Sequence, residues 1–231
     1  MTSPISAIVF DFDGVLADSE PIHLRVYQEL LAPVGVTLTK EQYCARYLGF
    51  DDEGAFRQMG SDFGLFMGDE EIELLMAAKT ERFQKIVSGT NVLYPDANAC
   101  VQTLGGRWPI GIASGALRHE IELMLKGAGL GTAFRFIVAA GETERTKPAP
   151  DPYLRAAMLH GVPAHECVAI EDSRWGLISA REAGMRTIAI THTYPRVALA
   201  ADADVVVDSL REITPELVAG IAESKRPGLQ V

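Results

Sequence analysis

Six short apolar runs constrain this chain more than any other feature: "AIVF" (7–10), "IGIA" (110–113), "FIVAA" (136–140), "VAI" (168–170), "TIAI" (187–190) and "VVV" (205–207). Each is bounded by glycine, proline or acidic residues, and each is apolar at consecutive positions, as in strands buried on both faces. From Pro109 onward they alternate with segments of helical period, "ALRHEIELMLKGAGL", "DPYLRAAMLHGV" and "SRWGLISAREAGM", the last stopped by Gly184. Strand and helix in alternation predict an α/β fold, a doubly wound parallel sheet with helices on both faces.

Between Leu16 and about Gly89 the strand pattern disappears. In "DEEIELLMAAKTERFQKIV", Ile72, Leu75, Met76, Phe83, Ile86 and Val87 fall on one stripe at three-and-four spacing, and "EPIHLRVYQELLAPVG" and "DDEGAFRQMGSDFG" are also helical in pattern. A helical block of this size is too long for a loop and long enough for a core of its own. We therefore expect a catalytic α/β core over 1–16 and 90–231, with residues 17–89 inserted as a helical cap domain. The tail "SKRPGLQV" is expected to fray.

Composition narrows the function. A net charge of -10 over 231 residues, with no cluster of Lys and Arg, argues against binding nucleic acid or anionic lipid. No apolar run approaches the roughly 20 residues that span a bilayer, and no leader pattern is seen, so a cytoplasmic protein is expected. Cys44, Cys100 and Cys167 are far apart and read as three reduced core thiols. Trp108 and Trp175 read as packing residues beside the sheet.

Three of the strand-like runs end in residues that packing alone does not explain. "AIVF" leads to Asp11 and Asp13, "IGIA" to Ser114, and "VAI" to Glu171 and Asp172. In a doubly wound sheet ligands bind beyond the carboxyl ends of the strands, so these side chains should converge. Lys147, ahead of two prolines and a helix start in "ERTKPAPDPY", is aimed at the same crevice. Carboxylates about 4 Å apart repel by roughly 4 kcal/mol at an effective dielectric of about 20. A hard divalent cation, Mg²⁺, together with Lys147, would supply the missing positive charge. With these in place Asp11 could attack a phosphate. Ser114, Lys147 and the N–H groups of Gly115 and Ala116, read as opening a helix, would hold its oxygens. Asp13, on the same side of an extended chain as Asp11, would serve as general acid and then base.

"DFDGVLADSE", "IASG", "KPAPDPY" and "IEDS", in this order and with a helical block after the first, resemble the four motifs of the haloacid dehalogenase superfamily. The resemblance covers nearly the whole chain. It implies a Rossmann-like core, a small helical cap and phosphoryl transfer through an aspartyl-phosphate. By motif match Asp11 would be the nucleophile, Asp13 the acid/base, and Ser114 and Lys147 phosphate binders. The metal ligands would be Asp11, the Asp13 backbone carbonyl and Asp172, with Glu171 acting directly or through water. The metal-free dehalogenases of the superfamily lack the second Asp, so Asp13 favours phosphate chemistry.

Among the histidines, His119, His160, His165 and His192 suggest no partner and read as surface or core residues. His23, just past the hinge at Ala17 to Glu20, matches a histidine of the sugar phosphomutase branch. Arg46, Tyr47, Phe50, Asp51 and Asp52 lie in "ARYLGFDDEG", a turn between cap helices that in the family faces the catalytic aspartate; His23, Arg46, Phe50 and Asp51 are thus candidates for substrate selection. The expected activity is a Mg²⁺-dependent phosphatase, acting as a monomer on a small phosphorylated metabolite. A β-phosphoglucomutase-like activity is the alternative, set against by Leu48 and Asp52 where mutases carry a Lys and an Arg. A phosphoaccepting signalling module is disfavoured by the DxDG after the first strand and by the large insertion.

Overall fold

The computed structural model describes residues 4–48 and 50–223. The chain forms β1 (Ala7–Phe10), α1 (Glu20–Leu31), α2 (Lys40–Arg46), α3 (Asp52–Phe63), α4 (Asp69–Val87), α5 (Ala97–Gly105), β2 (Ile110–Ala113), α6 (Arg118–Gly127) and β3 (Ile137–Val138). There follow α7 (Asp151–His160), β4 (Cys167–Glu171), α8 (Arg174–Glu182), β5 (Arg186–Ile190), α9 (Arg196–Leu199), β6 (Val205–Val207) and α10 (Pro215–Gly220). The chain divides into two compact units, one of residues up to 18 together with those from 91 onward, the other of residues 19–90.

In the first unit the six strands make one parallel sheet in the order β3-β2-β1-β4-β5-β6. The chain winds outward from β1 to β3, then returns to β4 on the other side, so the strand order reverses between β1 and β4. That reversal opens a crevice at the carboxyl ends of these two strands. One face of the sheet is built from small residues: Ala7, Val9, Ala113 and Ala169 pack with Tyr153, Ala156 and Ala157 of α7 and Ala180 of α8. Small side chains let the helices lie close over the strands, and Tyr153 fills the space they leave.

The second unit has a core of its own, formed by Val26, Tyr27, Leu30 and Leu31 of α1, Tyr43, Tyr47, Phe56 and Met59 and the α4 stripe led by Ile72. Four helices, α2, α5 and the short α9 and α10, escape the periodicity argument. Helix α2 is seven residues long and is secured by a capping box, in which the Thr39 side chain accepts from the Gln42 N–H and Gln42 returns to the Thr39 N–H. Helix α5 begins just after the return from the helical unit and buries Ala97, Cys100, Val101 and Leu104. Arg46 therefore sits in the last turn of a helix, not in a connecting turn; Gly49 of that turn and the tail from residue 224 onward lie outside the described residues.

Two packing expectations are corrected. Cys44 is exposed, because α2 buries only Tyr43, while Cys100 and Cys167 are buried. Trp175 is 57% exposed: α8 turns Gly176, Leu177 and Ala180 inward, which puts Trp175 on its outer side. Trp108 is half-buried and donates its indole N–H to the Ile5 carbonyl at 3.0 Å. No helix among the described residues is long and apolar enough to cross a membrane.

Candidate functional site

Register brings the polar strand ends together. Phe10 pairs with Ile112 of β2 and with Ile170 of β4, so Asp11 lies level with Ala113 and Glu171, and Ser114 and Asp172 follow one residue further on. The Asp11 N–H donates to the Ile170 carbonyl at 2.9 Å, and the Ser114 N–H to the Val138 carbonyl at 2.9 Å, extending the ladders just past the strands. Asp11, Ser114, Glu171 and Asp172 are all buried.

Lys147 enters this cluster from the loop ahead of α7. Its ammonium donates to Asp11 Oδ1 at 2.6 Å, Glu171 Oε1 at 2.6 Å and the Ala113 carbonyl at 2.9 Å, and lies 5.0 Å from the centre of the Tyr153 ring. Three donors and three acceptors fix its position. Burial alone would lower its pKa, but the Asp11 and Glu171 carboxylates outweigh burial and hold the ammonium above the ordinary lysine range.

Glu171 is the best-satisfied acid of the group. Oε1 accepts from Lys147 and from the Tyr153 hydroxyl at 2.7 Å, while Oε2 accepts from the N–H groups of Asp172 and Ser173 and from the Ser173 hydroxyl. Its side chain has no exposed surface. Tyr153 closes the "KPAPDPY" stretch, yet nothing in the spacing says that its hydroxyl reaches an acid on another strand.

Asp11 and Asp172 are in the opposite condition. Burial pushes Asp11 up to about 7, with Lys147 pulling it down and Glu171 and Asp13 adding to the rise. Burial, Glu171 and Asp11 together push Asp172 well above the carboxylate range, against a hydrogen bond from Thr193. One oxygen each from Asp11, Glu171 and Asp172 lies within 4.8 Å of the others. A single ammonium cannot neutralise three carboxylates, and burial raises the pKa of two of them, Asp11 and Asp172. The clustered oxygen-only donors Asp11, Glu171 and Asp172 fit a hard divalent cation such as Mg²⁺.

Asp13 is half-buried in a tight turn. The N–H groups of Leu16 and Ala17 return to the Phe12 carbonyl, and the Gly14 N–H goes to the Ala17 carbonyl at 2.8 Å. Gly14 has φ +74°, and a Cβ there would overlap the Asp172 carboxylate and approach Thr193 Oγ1. Only glycine lets the turn lie against Asp172 in this way.

The helix expected at Gly115 begins later. Helix α6 opens at Arg118, after a bend at Gly115 and Ala116 and an extended Leu117, and the Ala116 carbonyl accepts from the Ala140 N–H at 3.0 Å. Gly115 lies in an exposed bend, and the Ala116 N–H meets Ser114 Oγ at 3.2 Å. The anion-binding role of a helix N-terminus is therefore withdrawn from Gly115 and Ala116.

In the helical unit, His23 Nδ1 is 3.0 Å from Lys79 Nζ and its ring stacks on Phe83 at 4.4 Å. Burial, then Lys79, lowers its pKa well below 6.5, so the ring is neutral at pH 7. Lys79, 2% exposed, also pairs with Asp52 Oδ1 at 2.5 Å, an atom that accepts from the Tyr27 hydroxyl as well. Sequence reasoning passed over Lys79, although it occupies the apolar stripe of α4 between Met76 and Phe83. Arg46 is held by Asp62 at 2.7 Å, Asp51 caps α3 by accepting from the Gly54 N–H at 2.8 Å, and Phe50 is half exposed.

The fold and the ordered motifs define a class. Residues 8–190 match the family described as haloacid dehalogenase-like hydrolase, and the chain belongs to that family. Protein CbbY of Rhodobacter capsulatus is 31% identical over 199 residues, covering 83% of this chain and 88% of that protein. Hexitol phosphatase B of Escherichia coli is 31% identical over 232 residues, covering 95% of this chain and all of that one. Among solved structures, a CbbY variant from Rhodobacter sphaeroides in complex with xylulose-1,5-bisphosphate superposes with a TM-score of 0.81 at 26% identity, covering 93% of this chain and 99% of that one.

Proposed function

We propose that this hydrolase is a Mg²⁺-dependent phosphatase of small phosphorylated metabolites, sugar phosphates among them. The observation that carries the reading is the cluster at the carboxyl ends of β1 and β4, where Lys147 binds the Asp11 and Glu171 carboxylates and oxygens of Asp11, Glu171 and Asp172 lie within 4.8 Å of one another. Relatives named as phosphatases of sugar derivatives support the substrate class.

In this reading Asp11 attacks phosphorus in line with the ester oxygen, which leaves with a proton from Asp13. Water then attacks the aspartyl-phosphate, giving a proton to Asp13, and inorganic phosphate is released with Asp11 restored. Lys147 and the Ser114 hydroxyl hold phosphoryl oxygens, with Gly115 beside them in the bend. Mg²⁺, held by Asp11, Asp172 and the Asp13 carbonyl, would neutralise charge on the phosphoryl group. Glu171, its oxygens taken by five donors, acts from behind by fixing Lys147. His23, Arg46, Phe50 and Asp51 are assigned to substrate selection.

Hydrolysis is favoured over mutase chemistry because Leu48 and Asp52 stand where mutases place cations, and Asp52 is engaged by Lys79 and Tyr27. The test is phosphate release across sugar phosphates, phosphoglycolate and nucleotides, with and without Mg²⁺. Asp11→Asn should reduce release by on the order of a thousandfold or more, and activity near that of the unmodified protein would refute the nucleophile. Strict dependence on glucose 1,6-bisphosphate would refute hydrolysis in favour of the mutase.

A further inference from the structure

The loop after β5 reaches the Asp13 turn from outside the four motifs. His192 Nδ1 lies 3.0 Å from the Gly14 carbonyl, and its ring stacks on Tyr94 with centroids 3.8 Å apart and planes 30° from parallel. A carbonyl only accepts, so Nδ1 carries the proton. The next residue, Thr193, hydrogen-bonds to Asp172. Tyr94 is itself tied to the same turn, its N–H donating to the Leu16 carbonyl at 2.9 Å. Adjacent residues of one loop thus hold the turn that carries Asp13 and the acid against which that turn packs.

We propose that His192 is a positioning residue, which, through its hydrogen bond to the Gly14 carbonyl, holds the Asp13 turn where the Asp13 carboxyl can protonate the leaving ester oxygen. Both polar groups of Gly14 are then committed, the N–H to Ala17 and the carbonyl to His192. With φ at +74°, Gly14 has access to backbone conformations that other residues avoid, so the turn depends on these bonds for a single shape. Burial lowers the His192 pKa, which keeps the ring a neutral donor at pH 7. A catalytic acid displaced by about 1 Å loses much of its effect while the phosphate-binding groups stay in place.

The inference rests on the phosphatase reading, and its test separates the two. His192→Phe retains a flat ring against Tyr94 without the donor; His192→Asn places an amide N–H near the position of Nδ1 without the ring. The parameter to measure is kcat/KM for an alkyl phosphate, whose alkoxide needs a proton to leave, and for p-nitrophenyl phosphate, whose phenolate does not. This parameter covers steps up to departure of the leaving group, so later hydrolysis of the aspartyl-phosphate does not enter. His192→Phe should lose about tenfold or more on the alkyl ester and less than about threefold on the aryl ester, within the range expected of a general acid. His192→Asn should return the alkyl ester to within about threefold of the unmodified protein. Equal losses on both esters, no loss on either, or failure of His192→Asn to restore the alkyl ester would overturn the assignment. If His192→Phe does not fold, His192→Leu is read in the same way. Absence of phosphate release from both esters by the unmodified protein overturns the phosphatase reading itself, and this assignment with it.

Discussion

A Cβ on Gly176 would overlap the Glu171 carboxylate, so the first turn of α8 lies directly on the acid that fixes Lys147. The same glycine donates its N–H to the capping Ser173 hydroxyl at 3.0 Å, and that hydroxyl donates to Glu171. Gly176→Ala should cost about 1–3 kcal/mol through overpacking, seen as a lower urea midpoint, and an unchanged midpoint would refute the close approach. At this scale the sequence was informative wherever chemistry is local. "DFDG" and "IEDS" announce charges at strand ends, because acids that close a buried strand are costly unless a cation or a ligand meets them there. It was silent on two of the five donors around Glu171, since Tyr153 and Lys147 reach it from a helix and a loop distant in the chain.

At the scale of elements, the helical unit is joined through a charged centre. Lys79 of α4 meets His23 of α1 and Asp52 of α3, with the Tyr27 and Phe83 rings 5.2 and 5.7 Å from its ammonium. Asp52→Asn removes the charge that compensates a nearly buried ammonium and should lower the stability of the protein by about 3 kcal/mol. Lys79→Met combined with Asp52→Asn should cost less than the sum of the two single changes, and strict additivity in a double-mutant cycle would refute the coupling. The α4 stripe was legible from its spacing, but the pairing of Lys79 was not, because helical period tells which side faces inward without telling what waits there. Helix α2 escaped notice for a related reason: seven residues with one buried side chain carry almost no periodic signal, and only the capping box marks its start.

The whole molecule should register the excess negative charge as a dependence of stability on pH. Asp11 has a folded pKa of about 7 against an ordinary value of 3.8, so the folded chain keeps a proton that the unfolded chain releases. Without metal, this contribution leaves stability undiminished below 3.8 and lowers it as the pH rises from there to about 7. Asp172 shifts in the same direction. A cation binding the ionised acids should oppose that loss, adding about 2.7 kcal/mol at about a hundred times its Kd. The rise in Tm on adding Mg²⁺ should therefore be larger at about pH 8 than at about pH 5, where protons compete for the ligands. Equal rises at the two pH values, measured by thermal melting, would refute the link between these acids and the cation.

The sequence by itself determined the class of fold and which acids close its strands. Buried parallel strands require continuous apolar runs, and acids that follow such runs are accommodated in the crevice at the strand ends, where a ligand or cation can meet them. Tertiary structure alone decided how the charges are managed. The register of β1 between β2 and β4 sets Asp11 level with Glu171, Tyr153 and Lys147 occupy one oxygen of that acid, and the loop at His192 and Thr193 braces the Asp13 turn and Asp172. Those contacts join residues far apart in the chain through side chains with no periodic pattern. Their partners exist only once the sheet has brought the strand ends together.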